Sequence, residues 1–115
     1  MTEDRRKLQR KYLTFFGRIF DRYNGQYIGN VADITVEGAM VISDHPIPTE
    51  KTFQLRLDLP EHIFGIDHLD LEGHSIWCQP DIDPEFYNTG FQLLNNSPEA
   101  IKIIEQINQE YDIRG

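Results

Sequence analysis

Residues 52–59 alternate without a break: Phe53, Leu55, Leu57 and Leu59 fall on one side, Thr52, Gln54, Arg56 and Asp58 on the other. A period of two is the signature of a strand with one dry and one wet face, and Pro60 stops it. Such a strand must bury its apolar side against a core, so this segment commits the chain to a sheet. Residues 12–22 and 26–35 read as two further strands, joined at Tyr23-Asn24-Gly25, where Asn-Gly is a strong hairpin signal. Gly38 interrupts, and Ala39-Met40-Val41-Ile42 reads as a third, buried strand before a loop marked by Pro46 and Pro48. Residues 69–79 form a strand on which Leu69 and Leu71 share one face and Ile76 and Cys78 the other, so a bulge is expected near Gly73. Residues 86–94 form the sixth.

The end of the chain changes period. Ser97 suits an N-cap and Pro98 the first helical position. Ala100, Ile104, Ile107 and Tyr111 then follow at helical spacing, flanked by Ile101 and Ile103, which predicts a helix over 97–112. Six short strands and one helix predict a mainly β fold: a small six-stranded antiparallel barrel or curved sheet, closed on one side by a C-terminal α-helix.

At 115 residues the chain has room for one core, so 1–115 reads as a single domain, with a flexible basic arm at 1–11 and the barrel at 12–95. The single cysteine, Cys78, excludes an internal disulfide framework and fits a cytoplasmic protein. No apolar run approaches the roughly 20 residues of a membrane span, and Met1-Thr2-Glu3-Asp4 does not look like a secretory signal. The net charge of −8 is unevenly spread. Residues 1–22 hold seven basic and three acidic side chains, a balance of +4; residues 23–115 hold four and sixteen, or −12. A nucleic-acid coat is normally basic across a whole face. One basic segment on an acidic body suits a small anion carrying a few phosphates better than DNA or RNA.

Two segments can carry that chemistry. Arg5-Arg6-Lys7-Leu8-Gln9-Arg10 contains an R-x-x-x-R spacing from Arg6 to Arg10. Guanidinium groups fork onto phosphates and guanine edges and stack on purine rings. Asp33-Ile34-Thr35-Val36-Glu37-Gly38 falls at the end of the second strand. In an extended segment Asp33 and Thr35 face one side while Ile34 anchors the other. A carboxylate can accept two hydrogen bonds from the N1–H and N2–H₂ edge of guanine, and the Thr35 hydroxyl can donate or accept beside it. Gly38 permits a positive φ or a close backbone approach. Either segment alone is weak: the first is a solvated tail, the second an ordinary turn.

Taken together, an R-x-x-x-R ahead of the first strand and a D-x-[ST]-x-x-G at the following strand corner resemble the PilZ domain family. The likeness extends through Gly38-Ala39-Met40-Val41-Ile42, Trp77 and Tyr87-Asn88-Thr89-Gly90-Phe91-Gln92-Leu93 to the closing helix. It implies a six-stranded PilZ-type β-barrel that acts as a bacterial receptor for cyclic di-GMP, a ligand and not a cofactor. The family's arginine motif falls on Arg6 and Arg10, with Arg5 as helper, and its guanine-surrounding motif on Asp33, Thr35 and Gly38. Thr35 stands where the family usually has Ser. The resemblance further implies no catalysis, an arm that orders around the ligand, and output through an effector protein, which the residues do not identify. Isoleucines on the helix leave room for a homodimer.

The remaining residues have plain readings. Tyr12, Phe15, Phe16 and Phe20 read as barrel packing, and Trp77 and Cys78 as core. His45, His62, His68 and His74 are scattered. A metal-dependent enzyme built on His62, His68 and His74 with Asp67 and Asp70 is the third alternative, after nucleic-acid binding through the arm. The spacing favours surface histidines and no metal site.

Overall fold

The computed structural model describes residues 17–111, for Tyr111 the backbone alone. Six strands close into an antiparallel barrel: β1 (Arg18–Asp21), β2 (Tyr27–Ile34), β3 (Gly38–Ser43), β4 (Lys51–Asp58), β5 (His68–Pro80) and β6 (Tyr87–Leu94). Neighbours around the barrel run β1-β2-β3-β6-β5-β4, and β1 pairs with β4 to complete the ring. Closure leaves no open edge. A one-turn helix, α1 (Glu61–Phe64), follows β4, and α2 (Pro98–Tyr111) follows β6. The fold is the predicted one.

The alternation that fixed β4 holds. Phe53, Leu55, Leu57 and Leu59 are buried and the residues between them face out or lie at the margin. Val31, Ile34, Val41, Leu69, Leu71 and Phe91 meet them from the other strands. Helix α2 closes this core with Ala100, Ile103, Ile104 and Ile107. Its start is the predicted one: the Ala100 amide donates to Ser97 Oγ at 3.0 Å, and Pro98 is the first helical residue. Only Ile101 among the helix isoleucines stays exposed.

Bulges break the regularity. In β2 the register with β3 slips between Val31 and Asp33, leaving Ala32 without a partner. Val31 and Ala32 are consequently both buried although adjacent. In β5 the slip lies between Ser75 and Trp77, at Ile76, and not near Gly73 as the sequence implied. Leu69, Leu71, Gly73 and Ser75 form one continuous buried row, so the strand changes face only after Ser75. As a result Trp77 is 39% exposed and Cys78 half-buried, where both were expected in the core. The first strand is also shorter than the predicted 12–22. Residues 12–16, with Tyr12, Phe15 and Phe16, lie outside the described residues; Phe20 is half-buried, edge-on to Tyr27 with ring centroids 5.6 Å apart.

Candidate functional site

Asp33, Thr35 and Gly38 occupy one corner, where β2 ends and β3 begins. The Thr35 amide donates to Gly38 O at 2.8 Å, closing the turn. The Thr35 hydroxyl accepts from the Glu37 amide (3.2 Å) and the Gly38 amide (3.3 Å). This side chain therefore braces the turn from within, a role a serine would also fill. Gly38 serves through close approach and not through a positive φ. A Cβ there would sit 2.7 Å from Phe91 O, on the backbone of β6. Ile34 is 1% exposed and pins the corner to the core, while Thr35 faces solvent and Asp33 is half-buried.

The bulge at Ala32 aims Asp33. Asp33 pairs with Met40, Met40 with Gly90, and Gly90 with Trp77. These four residues form a single row across β2, β3, β6 and β5, about 14 Å from end to end at the usual strand spacing. The bulge at Ile76 brings Trp77 into that row. The indole lies against the β6 backbone: a Cβ on Gly90 would come within 2.3 Å of Trp77 Nε1. A carboxylate at one end and an exposed aromatic plate at the other thus share the barrel's outer surface.

The corner is also tied to distant parts of the chain. Leu93 N donates to Glu37 O at 2.9 Å. The Asn96 side-chain amide donates to Val36 O, and Asn108 Nδ2 donates to Ile34 O at 2.9 Å. Neither asparagine carries a sequence signal, because each meets its partner only through the fold.

Arg5, Arg6 and Arg10 lie outside the described residues. The point of entry into the barrel is described. Gly17 is buried, and its carbonyl accepts the Val31 amide at 2.9 Å, two residues from Asp33. Because β1 runs antiparallel to β2, Gly17 lies toward the Asp33 end of β2.

A cavity of about 590 Å³ lies at the other end of β2, beside Phe20, Arg22, Gly25, Arg56, Asp58 and Asp70. Its charges are already matched. Arg22 donates to Leu55 O (3.1 Å) and Gln54 Oε1 (2.7 Å), and Arg56 meets Asp58 at 3.0 Å. Nearby, a hydrogen bond with His68 holds the Asp67 carboxyl below its ordinary range. His74 Nδ1 lies 3.0 Å from the Thr52 hydroxyl, and His62 is exposed on α1. Among the described residues no three His, Cys, Asp or Glu side chains gather as a metal site would need.

The family profile described as PilZ domain matches residues 4–110. The chain belongs to the PilZ domain family. Among solved structures, this PilZ domain resembles that of the Bacillus subtilis inhibitor of motility (MotI/DgrA), with a TM-score of 0.64 at 13% sequence identity. The superposition covers 88% of this chain and 53% of the other, so the chain spans about half the length of that protein. No curated protein matches the sequence. No helix among the described residues is long and apolar enough to cross a membrane.

Proposed function

We propose that this PilZ domain is a non-catalytic receptor for cyclic di-GMP. Asp33 reads the Watson–Crick edge of one guanine. Thr35 and Gly38 shape the corner that presents it. Arg6 and Arg10, assisted by Arg5, clamp the phosphates and stack on a base. The arm and the corner close on the same molecule, and the ordered arm then offers a new surface to an effector protein. The observation that supports this reading is the hydrogen bond from the Val31 amide to Gly17 O, which sets Gly17, the first described residue, near the Asp33 end of β2. Six residues lie between Arg10 and Gly17. Fully extended, the seven Cα-to-Cα steps span about 24 Å, enough to fold back over the corner. The acidic body argues against a polyanionic nucleic acid as the partner.

The test is titration with cyclic di-GMP, with GTP as control, followed by calorimetry and by the fluorescence of Trp77, the chain's only tryptophan. Saturable binding of cyclic di-GMP alone is expected. Arg6→Ala and Arg10→Ala should each weaken it on the order of 10- to 100-fold, as loss of a charge-assisted bond implies, with unchanged unfolding. Equal affinity for GTP, or wild-type affinity in both variants, refutes the reading.

A further inference from the structure

The backbone of the β2–β3 corner is held by more than its own turn. Three of its carbonyls, those of Ile34, Val36 and Glu37, accept hydrogen bonds from residues far downstream. The donor for Ile34 lies on α2. Asn108 is half-buried, and its one amide group serves two acceptors: Ile104 O in its own helix at 3.1 Å and Ile34 O at 2.9 Å. Asparagine is a poor residue for a helix interior. Here it does something alanine, leucine or glutamate cannot, since a methyl group or a carboxylate has no proton to donate to Ile34 O. Ile34 is the residue between Asp33 and Thr35. Fixing its carbonyl fixes the Ile34–Thr35 peptide plane, which also carries the Thr35 amide, and so steadies the corner from which the Asp33 carboxylate projects.

We propose that Asn108, supported by Asn96, is a positioning residue of the ligand site, and that α2 is a working part of that site besides being a lid on the core. The inference rests on the reading of Asp33 as the base-reading group. Asn108 touches no ligand; it lowers the number of conformations the corner must give up when one binds. Affinity depends on such preorganisation as well as on direct contacts.

Asn108→Asp keeps the shape and removes the donor; Asn108→Ala removes the side chain without adding charge. Each should weaken cyclic di-GMP binding about tenfold at a temperature well below unfolding. Ile107→Val, one residue away and wholly core, is the control for mere loosening of the helix: it should lower Tm by a few degrees and leave affinity unchanged. The second readout is hydrogen exchange of the Thr35 amide, which donates to Gly38 O. It should quicken in the Asn108 variants and not in Ile107→Val. Wild-type affinity in Asn108→Ala, or an equal loss in Ile107→Val, overturns the proposal. If the unaltered protein binds no cyclic di-GMP, the functional reading fails. Exchange then decides the positioning role alone: selective quickening at Thr35 upholds it, and equal rates in all variants overturn it.

Discussion

The barrel has two turns at opposite ends of β2, and they are built on different plans. The β1–β2 turn is closed chiefly by its own bonds, with Arg22 tied to β4 by its amide, which donates to Gln54 O at 2.8 Å. Asp21 Oδ1 accepts the Tyr23 amide at 2.8 Å, Asp21 O accepts the Gly25 amide at 2.7 Å, and Asn24 Oδ1 accepts the Gln26 amide at 2.9 Å. Tyr23 stands 93% exposed at its tip. The β2–β3 corner has a comparable local brace in Thr35 and then adds anchors from β6, from the loop after it and from α2. One turn leans on its own residues and a single neighbouring strand; the other is fixed from several directions, as a corner proposed to hold a side chain ready for a ligand would need.

Glycine substitution gives the sharpest contrast. Gly38→Val should cost about 3 kcal/mol in denaturant unfolding, because the new side chain meets the backbone of β6. Gly25→Ala should cost only about 1 kcal/mol: its φ of +76° is strained for alanine, but no atom lies within 4 Å. Comparable losses at the two sites would erase the distinction. Aspartate substitution separates binding from folding. Asp33→Ala should reduce cyclic di-GMP affinity on the order of tenfold while the protein remains folded, an acceptor for the guanine edge being lost. Asp21→Ala should leave affinity intact and lower stability by about 1 kcal/mol through its lost cap. If calorimetry shows both weakening the ligand alike, the corner has no special standing.

The smallest expected effect concerns acid. Asn95 and Gln54 donate to Glu72 at 2.8 and 2.9 Å, holding its carboxyl below the ordinary 4.5. Asn95 precedes Asn96, so this carboxylate helps tether the loop that supports Val36. A depressed carboxylate stabilises the fold above its unfolded pKa, and the contribution fades as pH falls through the lower folded value. Glu72→Gln should therefore lose slightly less stability than the wild type when Tm is followed downward from pH 4.5; a steeper loss would count against the tether.

The sequence was most informative where a pattern is local. The leucines of β4, the Asn24-Gly25 turn and the Ser97-Pro98 start of α2 each declare themselves within a few residues. The pairing of Asp33, Thr35 and Gly38 was legible as a motif for the same reason. The bulge in β5 showed as a change of face but not by its position, and the one in β2 did not show at all, because a slip depends on which residue of a partner strand is opposed, and Ile76 or Ala32 carries no mark of it. Trp77, read as core, is exposed for that reason. Asn96 and Asn108 were invisible for a related reason: they reach Val36 and Ile34 across 60 and 74 residues, through contacts that only tertiary packing creates.

Ala32 has a consequence that reaches beyond its own size. Had Ala32 paired in regular alternation, with no bulge, Val31 would still point inward, but Asp33 would follow it there and Ile34 would turn out to water. The carboxylate proposed to read the ligand would be entombed among aliphatic side chains and the corner's anchor set adrift, with the composition of the motif untouched. What keeps Asp33 on the outer surface is a single supernumerary alanine that throws the strand out of step.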